Sequence, residues 1–532
     1  MRIQRRLLAF VLLFPALVPA QGIDPFPGEQ EKWLHVRSPH FELYTTHGEG
    51  TARDTLYRLE VIRAVFHEFL QLKERMPLEM TVFRFSNSGA YAGYRPEQMG
   101  KKRQIGGLYL QHPDRATILI GPQDDVEQAR HVINHEFIHH LLHVTEESPP
   151  VWYNEGIADL LATLEIKGGK VVIGAPRVGR VLQLRQERLM PLEQLFAVDH
   201  GSRIYTSGEH TGLFYAQSWG LVHYLTLGQH QLPEDRVKLF LNLARQPAAY
   251  ERPEVMPALV SDLLDLTYAD LLERLGRYVV SGRYSGRTMP VPEVAAPKSY
   301  ALRKPGQGEM HLRLAELAVR VNRSPLGRLA LLYGVEREAG DPRLHEVLGS
   351  AAMRDQDEAT AREFWQKAVA AGTTNPAVFH ALAQIEARRW FRQFNPDFRM
   401  RPEHADALRA LLQRSIEAAP NQSTAYEILA WVEGSALNPD LRNVNLVQRQ
   451  FPTLKDRPRA LLGLILLRVH RGEAQTALEL LDQMDALKPD HWIAQCAERV
   501  RARLEKREPR RLPAPPESRN TLFRPPPIRI PE

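Results

Sequence analysis

Asn134-His135-Glu136-Phe137-Ile138-His139-His140 is followed by Pro149-Pro150 and then by Trp152-Tyr153-Asn154-Glu155-Gly156-Ile157-Ala158-Asp159, and these stretches decide how the chain is read. His135 and His139 are four residues apart. A helix therefore puts them one turn apart on one face, where both imidazoles reach a single zinc ion. Glu136 is turned about 100° around that helix, towards the substrate side, where it can take a proton from a water on the metal. The two prolines stop the first helix, and Glu155 opens a second whose carboxylate supplies a third ligand. Two histidines and one glutamate leave zinc an open position, whereas a structural zinc needs a fourth protein ligand. His131, His140 and His143 are the candidates for that place. His140 lies about 100° off the ligand face and reads as surface or an outer neighbour of the site, and His143 reads as a neighbour one turn below His139.

On these residues the sequence resembles the gluzincin metallopeptidases, and more closely the peptidase MA-like domains that carry Glu-Gly-x-Ala after the His-Glu-x-x-His helix. The resemblance covers residues 31–283. It implies an α+β zincin-like domain, with a helix–turn–helix zinc site beneath a small mixed sheet and a helical lower part. It also implies that an acid four residues after the glutamate ligand orients a ligand histidine, and Asp159 stands there. Phe214-Tyr215-Ala216-Gln217-Ser218 is similar to a Tyr-x-Gln-Ser run found downstream of the metal site in such domains. That likeness makes Tyr215 the candidate donor to the carbonyl oxygen that gains charge, with His223, Tyr205 and His210 as alternatives. An edge strand near the metal commonly pairs with an extended peptide in these enzymes, and Ala116–Ile120 is the candidate for it. Trp152 and Tyr153 read as packing for the turn between the two zinc helices.

The whole chain sets further bounds. Its 532 residues suffice for at least two cores. The formal charge of +6 falls to about +3 if Arg2, Arg5 and Arg6 leave with a leader, too little to argue for nucleic acid. Met1–Ala20 reads as a secretory signal peptide: a basic start, the apolar run Leu7–Leu13, then Val18-Pro19-Ala20. An uncleaved anchor is the alternative. No later stretch is long and apolar enough to cross a bilayer. Cys496 is the only cysteine, so an exported chain forms no internal disulfide and relies on packing and bound metal. A bacterial periplasmic or secreted destination fits.

Along the chain, Trp33–Thr46 alternates like a strand in its second half, and Thr51–Leu72 carries Leu56, Leu59, Ile62, Val65, Phe66 and Phe69 at helical spacing. Met80–Phe85 reads as a strand, and Leu108–Leu110 with Ala116–Ile120 as a hairpin around Pro113-Asp114. Lys170–Ile173 is a further short strand, and 234–283 reads as helical. Residues 284–309 are rich in Pro and Gly and read as a linker. Beyond it, Asp341-Pro342 and Asn375-Pro376 are separated by the 34-residue tetratricopeptide period, and Phe379–Ala383 recurs as Tyr426–Ala430 after an insertion near Trp390–Pro402. Residues 310–507 therefore resemble degenerate tetratricopeptide repeats, four or five helix pairs in an all-α solenoid, with a non-repeating helical domain as the alternative. The Arg- and Pro-rich tail, 508–532, reads as disordered.

The expectation is an exported zinc metallopeptidase whose repeats bind a protein partner or the substrate. Two alternatives stay open. One is a non-catalytic scaffold that binds metal or peptide. The other is a zinc hydrolase acting on a non-peptide amide.

Overall fold

The computed structural model describes residues 26–510, apart from positions 76, 97–106, 123–125, 146–148, 200, 207–209, 229–231, 247–248, 250–253, 323, 339 and 488. The leader read at Met1–Ala20, and nearly all of the tail read at 508–532, lie outside the described residues.

The Trp33–Thr46 segment folds as two strands, because Pro39 ends the first and Ser38 turns the chain by donating its backbone N–H to the Phe41 carbonyl at 2.9 Å. These are β1 (Leu34–Arg37) and β2 (Phe41–Thr45). With β3 (Met80–Arg84), β4 (Gly107–Gln111) and β5 (Ala116–Ile120) they build a mixed sheet in the order β4-β5-β3-β2-β1-β9, closed by β9 (Ala301–Arg303). Ala116–Ile120 pairs with β4 on one side and β3 on the other, so it is an interior strand and β4 is the edge. Every residue of Ala116–Ile120 is buried, as an interior strand requires.

Alternation gives the sheet two apolar faces. Phe41, Leu43, Met80, Val82, Tyr109, Ile118 and Ile120 pack against the helix Glu49–Leu70 and the motif helix Val126–Val144. Tyr44, Phe83, Leu108, Leu110 and Leu119 point the other way and pack against Leu314, Leu317 and Ala318 of the helix Gln307–Asn322. The helix Gln307–Asn322 thus forms a second layer over the sheet. The stretch 284–309 is not a free connector. Its β8 (Arg287–Pro290) joins β6 (Glu165–Lys167) and β7 (Lys170–Ile173) in a three-stranded sheet, and its β9 pairs with β1. Both are edge strands, where a proline costs no ladder bond.

From Gln307 onward the described residues form five helix pairs and a final single helix, His491–Leu504. Asp341 and Asn375 cap helices that begin at Pro342 and Pro376, each side chain accepting a backbone N–H. A side chain on Gly434 would sit 2.1 Å from the Gly463 carbonyl, so glycine lets the helices Ser423–Ser435 and Arg457–His470 touch backbone to backbone. The insertion near Trp390–Pro402 is pinned at Met400, which exchanges backbone bonds with Ser435 and Leu437. Cys496 is buried in the last helix, and burial pushes its thiol up to about 12, leaving it an inert packing residue.

The C-terminal helices and the sheet are joined by a buried ionic network. Arg320 holds Asp114 with both nitrogens, at 3.1 and 2.7 Å, and Glu316 at 2.9 Å. Arg343 bonds Glu316 and, across the boundary, Glu42 and Thr81. Asn375 donates to the Asp114 carbonyl at 2.8 Å, and Arg115 lies 3.4 Å from Glu346. Among the described residues, no helix is long and apolar enough to cross a membrane.

Candidate metal centre

The motif helix, Val126–Val144, and the helix Val151–Ala162 are the two elements that meet at the site. The second begins at Val151, so Glu155 lies one turn inside it. Val151, Trp152, Tyr153 and Ile157 are buried, Trp152 against Phe196, which fixes this helix and aims Glu155 at the motif helix. Gly156 follows for a steric reason. A Cβ there would meet the Ser218 carbonyl at 2.6 Å, so glycine admits the helix Thr211–Leu227 to direct contact. That contact brings Tyr215 to the site. Gln217, by contrast, is structural: its amide grips both backbone groups of Met190 at 2.7 Å.

Three ligand-type atoms converge. His135 Nε2 and His139 Nε2 are 3.0 Å apart, and Glu155 Oε2 is 3.3 Å from the first and 3.4 Å from the second. Ligands at ~2.0–2.1 Å in a tetrahedron stand roughly 3.3–3.4 Å from one another, so the triangle is close to the size a zinc ion would need. Among the described residues, no fourth His, Cys, Asp or Glu joins it. Each imidazole is oriented from behind. His139 Nδ1 is 3.0 Å from Asn154 Oδ1, and His135 Nδ1 is 3.1 Å from Asp159 Oδ1. At His139, an N–H donated from Nδ1 leaves the Nε2 lone pair facing the shared point; at His135 the Nδ1–Asp159 approach is an ionic contact without hydrogen-bond geometry. Asp159 is held in turn by Arg180 Nε at 2.8 Å, and Tyr205 donates to Glu155 Oε1 at 3.0 Å.

The electrostatics ask for a cation. Glu155 Oε2 is buried and accepts no hydrogen bond among the described residues. Burial opposes a charged His135, yet Asp159 and Glu155 prevail and push its pKa up to about 10. Burial would raise Glu155 as well, but the two histidines hold it well below the carboxylate range. A proton on the imidazoles or a metal among them meets the same demand. A second triad, His131, His135 and Asp159, is spaced for an ion too. It is already served by cations: Arg177 reaches His131 Nε2 at 2.7 Å, and Arg180 sits on Asp159. The triangle of His135, His139 and Glu155 is therefore the group that fits zinc.

Compared with known proteins, the chain matches no family model and no curated protein.

The other sequence candidates fall as follows. Glu136 is half-buried, one residue on from His135. The Tyr215 hydroxyl is raised by burial first and then by Glu155, Tyr205 and Glu136, so it lies in the field of the site, and Arg180 stacks over its ring at 5.2 Å. Tyr205 bonds Glu155 itself, so its hydroxyl holds a ligand. His223 is buried elsewhere, between the Gly174 carbonyl and the Tyr278 hydroxyl, and His210 is exposed ahead of the helix Thr211–Leu227. His140 is not on the surface. It is buried on the sheet side, with Nδ1 2.8 Å from the Tyr109 hydroxyl. His143 meets Gln111 at 2.6 Å and is not a ligand, and His131 serves Asp159. Asn154 and Arg180 were missed in the sequence. Asn154 had one available signal, its place directly before Glu155; Arg180, 21 residues beyond Asp159, had none.

Proposed function

We propose that the chain is an exported zinc-dependent peptidase whose helical repeats engage a protein partner or the substrate. The observation that carries this reading is the triangle of His135, His139 and Glu155 at 3.0–3.4 Å, with a buried orphan carboxylate oxygen at one corner and Glu136 on the adjoining helix position. Zinc bound there would supply Lewis acidity and an acidified water. Glu136 would take that water's proton as it attacks the scissile carbonyl and return it to the leaving amine. Tyr215 would donate to the carbonyl oxygen as charge develops. Asn154 and Asp159 keep the ligand imidazoles in one tautomer, and Tyr205 keeps Glu155 turned towards them. β4 ends the sheet and lies along the motif helix through Tyr109–His140 and Gln111–His143, which offers an extended peptide a strand to pair with. Export rests on the leader read at Met1–Ala20.

A binding scaffold is the second reading, favoured by a cavity among the repeats. One experiment separates the two: zinc content and hydrolysis of a mixed peptide library by wild type, Glu136→Gln and His139→Ala. One zinc per chain in wild type and Glu136→Gln, none in His139→Ala, and cleavage by wild type alone is the expected result. Zinc-loaded wild type that cleaves nothing the Glu136→Gln protein spares would leave the scaffold. Wild type that takes up no zinc would end the metal reading.

A further inference from the structure

Asp159 is 1% exposed, and a carboxylate so deeply buried needs a cation beside it. Arg180 is that cation. Its Nε donates to Asp159 Oδ2 at 2.8 Å, while Asp159 Oδ1 faces His135 Nδ1 at 3.1 Å. The need for a counter-ion accounts for this pair, but not for where the rest of the guanidinium lies. It sits over the Tyr215 ring, 5.2 Å from its centre, and that ring also stacks on Tyr205 at 6.1 Å with 22° between the planes. Tyr205 in turn donates to Glu155 Oε1 at 3.0 Å, and Glu155 Oε2 is 3.3 Å from His135 Nε2. The contacts close into a circuit: His135, Asp159, Arg180, Tyr215, Tyr205, Glu155 and back to His135. Among its six members only Arg180 carries a fixed positive charge.

Local packing sets the contact that closes the circuit. Arg180 belongs to the helix Val178–Gln186, which lies against the helix Thr211–Leu227 that carries Tyr215. Two glycines admit the approach. A Cβ on Gly212 would strike the Gln183 side chain, and one on Gly220 would stand 3.1 Å from Leu184. Gln183 and Leu184 follow Arg180 by three and four residues, so the face that meets the glycines is also the one that aims the arginine.

We propose that Arg180 is a positioning residue for the metal site, holding a ligand histidine through Asp159 and the carbonyl-oxygen donor through the ring of Tyr215. The inference rests on the peptidase reading above and adds to it a part that neither motif helix supplies. Arginine suits this part and lysine does not. A guanidinium is a plane that pairs with a carboxylate along its edge while its face covers an aromatic ring, whereas an ammonium is a point charge. A plain counter-ion for Asp159 would be interchangeable with lysine.

The test measures zinc affinity by chelator competition, and cleavage at saturating zinc of a peptide that the wild type cuts. It uses full-length Arg180→Lys and Arg180→Leu, alone and combined with Tyr215→Phe or Asp159→Asn. Arg180→Lys should bind zinc within about threefold of wild type, yet lose about tenfold in kcat with KM little moved. Tyr215→Phe should lower kcat by about a hundredfold, and Arg180→Lys should take nothing further from it. Arg180→Leu should weaken zinc binding about tenfold, and have no such effect in an Asp159→Asn background. That double variant also leaves no buried charge unpaired, so it should stay folded even where Arg180→Leu does not. Three results would each overturn the proposal: Arg180→Lys that cleaves as wild type does, a loss in kcat that persists in full in Tyr215→Phe, or folded Arg180→Leu that binds zinc as wild type does. Wild type that takes up no zinc, or cleaves nothing, ends the peptidase reading itself and this inference with it, and no variant is needed to see that failure.

Discussion

Two groups of buried ionisable side chains lie on the two sides of one sheet, and they differ in where the positive charge comes from. At the junction with the C-terminal helices, Asp114, Glu316 and Glu42 are answered by Arg320, Arg343 and Arg115 from the chain itself. At the motif helices, no lysine or arginine among the described residues pairs with Glu155, whose Oε2 faces only the His135 and His139 imidazoles, so a proton on them or an ion between them must supply the charge. A buried cluster that brings its own counter-ions is a fastening. One that lacks a cation is a place to put one.

The contrast is easiest to break at the fastening. Arg320→Ala strips a two-nitrogen contact from Asp114 and a bond from Glu316, leaving buried carboxylates without their cation. The expected cost is about 3–5 kcal/mol in denaturant unfolding, with zinc content per folded chain unchanged. Acid attacks the same network. Burial alone would raise Glu42, Asp114 and Glu316, but the arginines hold all three below the usual carboxylate range. A folded-state pKa below the unfolded one gives stability that is complete above the unfolded value and lost as pH falls through the folded one. Thermal stability should therefore fall as pH drops below the ordinary carboxylate range of about 4, and Glu74, held down to about 2 against burial by His67 and Arg63, adds a loss of its own between about pH 4.5 and 2. A melting temperature flat across that range would refute the assignment.

The metal side should respond to zinc and not to the loss of a junction arginine. At a hundredfold excess over its dissociation constant, zinc should stabilise the wild type by about 2.7 kcal/mol and His139→Ala not at all, read by calorimetry. Asp159→Asn should keep the fold and weaken zinc binding by roughly 10–100-fold in a chelator competition. Asn154→Ala, which frees the other imidazole, belongs at the lower end of that range; a larger effect than Asp159→Asn would reverse the order argued here.

Much of the site was legible because it is local. His135, Glu136, His139, Glu155 and Asp159 fall within 25 residues, and helical spacing alone puts the first and third on one face. What escaped came through space. Arg180 reaches Asp159 from a helix that no spacing links to the motif. His140 lies about 100° off the ligand face, and spacing does not say that this side is the buried one: Phe137, His140, Leu141 and Val144 are all covered by the sheet and its neighbours. The strands were readable from alternation. Their order was not, because hairpin spacing says that β4 and β5 pair and is silent on which of them faces β3. The Pro- and Gly-rich composition of 284–309 describes edge strands as well as it describes a tether.

The helix Gln307–Asn322 covers Tyr44, Phe83 and Leu119, and this reaches into how the protein can be handled and made. A recombinant fragment cut near residue 283 would expose an oily sheet face in water and precipitate. During synthesis the sheet's second face stays uncovered until about residue 322 has emerged. The two halves follow one another in the chain but share one core in the folded state: neither can be exchanged unless the helix that roofs the sheet travels with it.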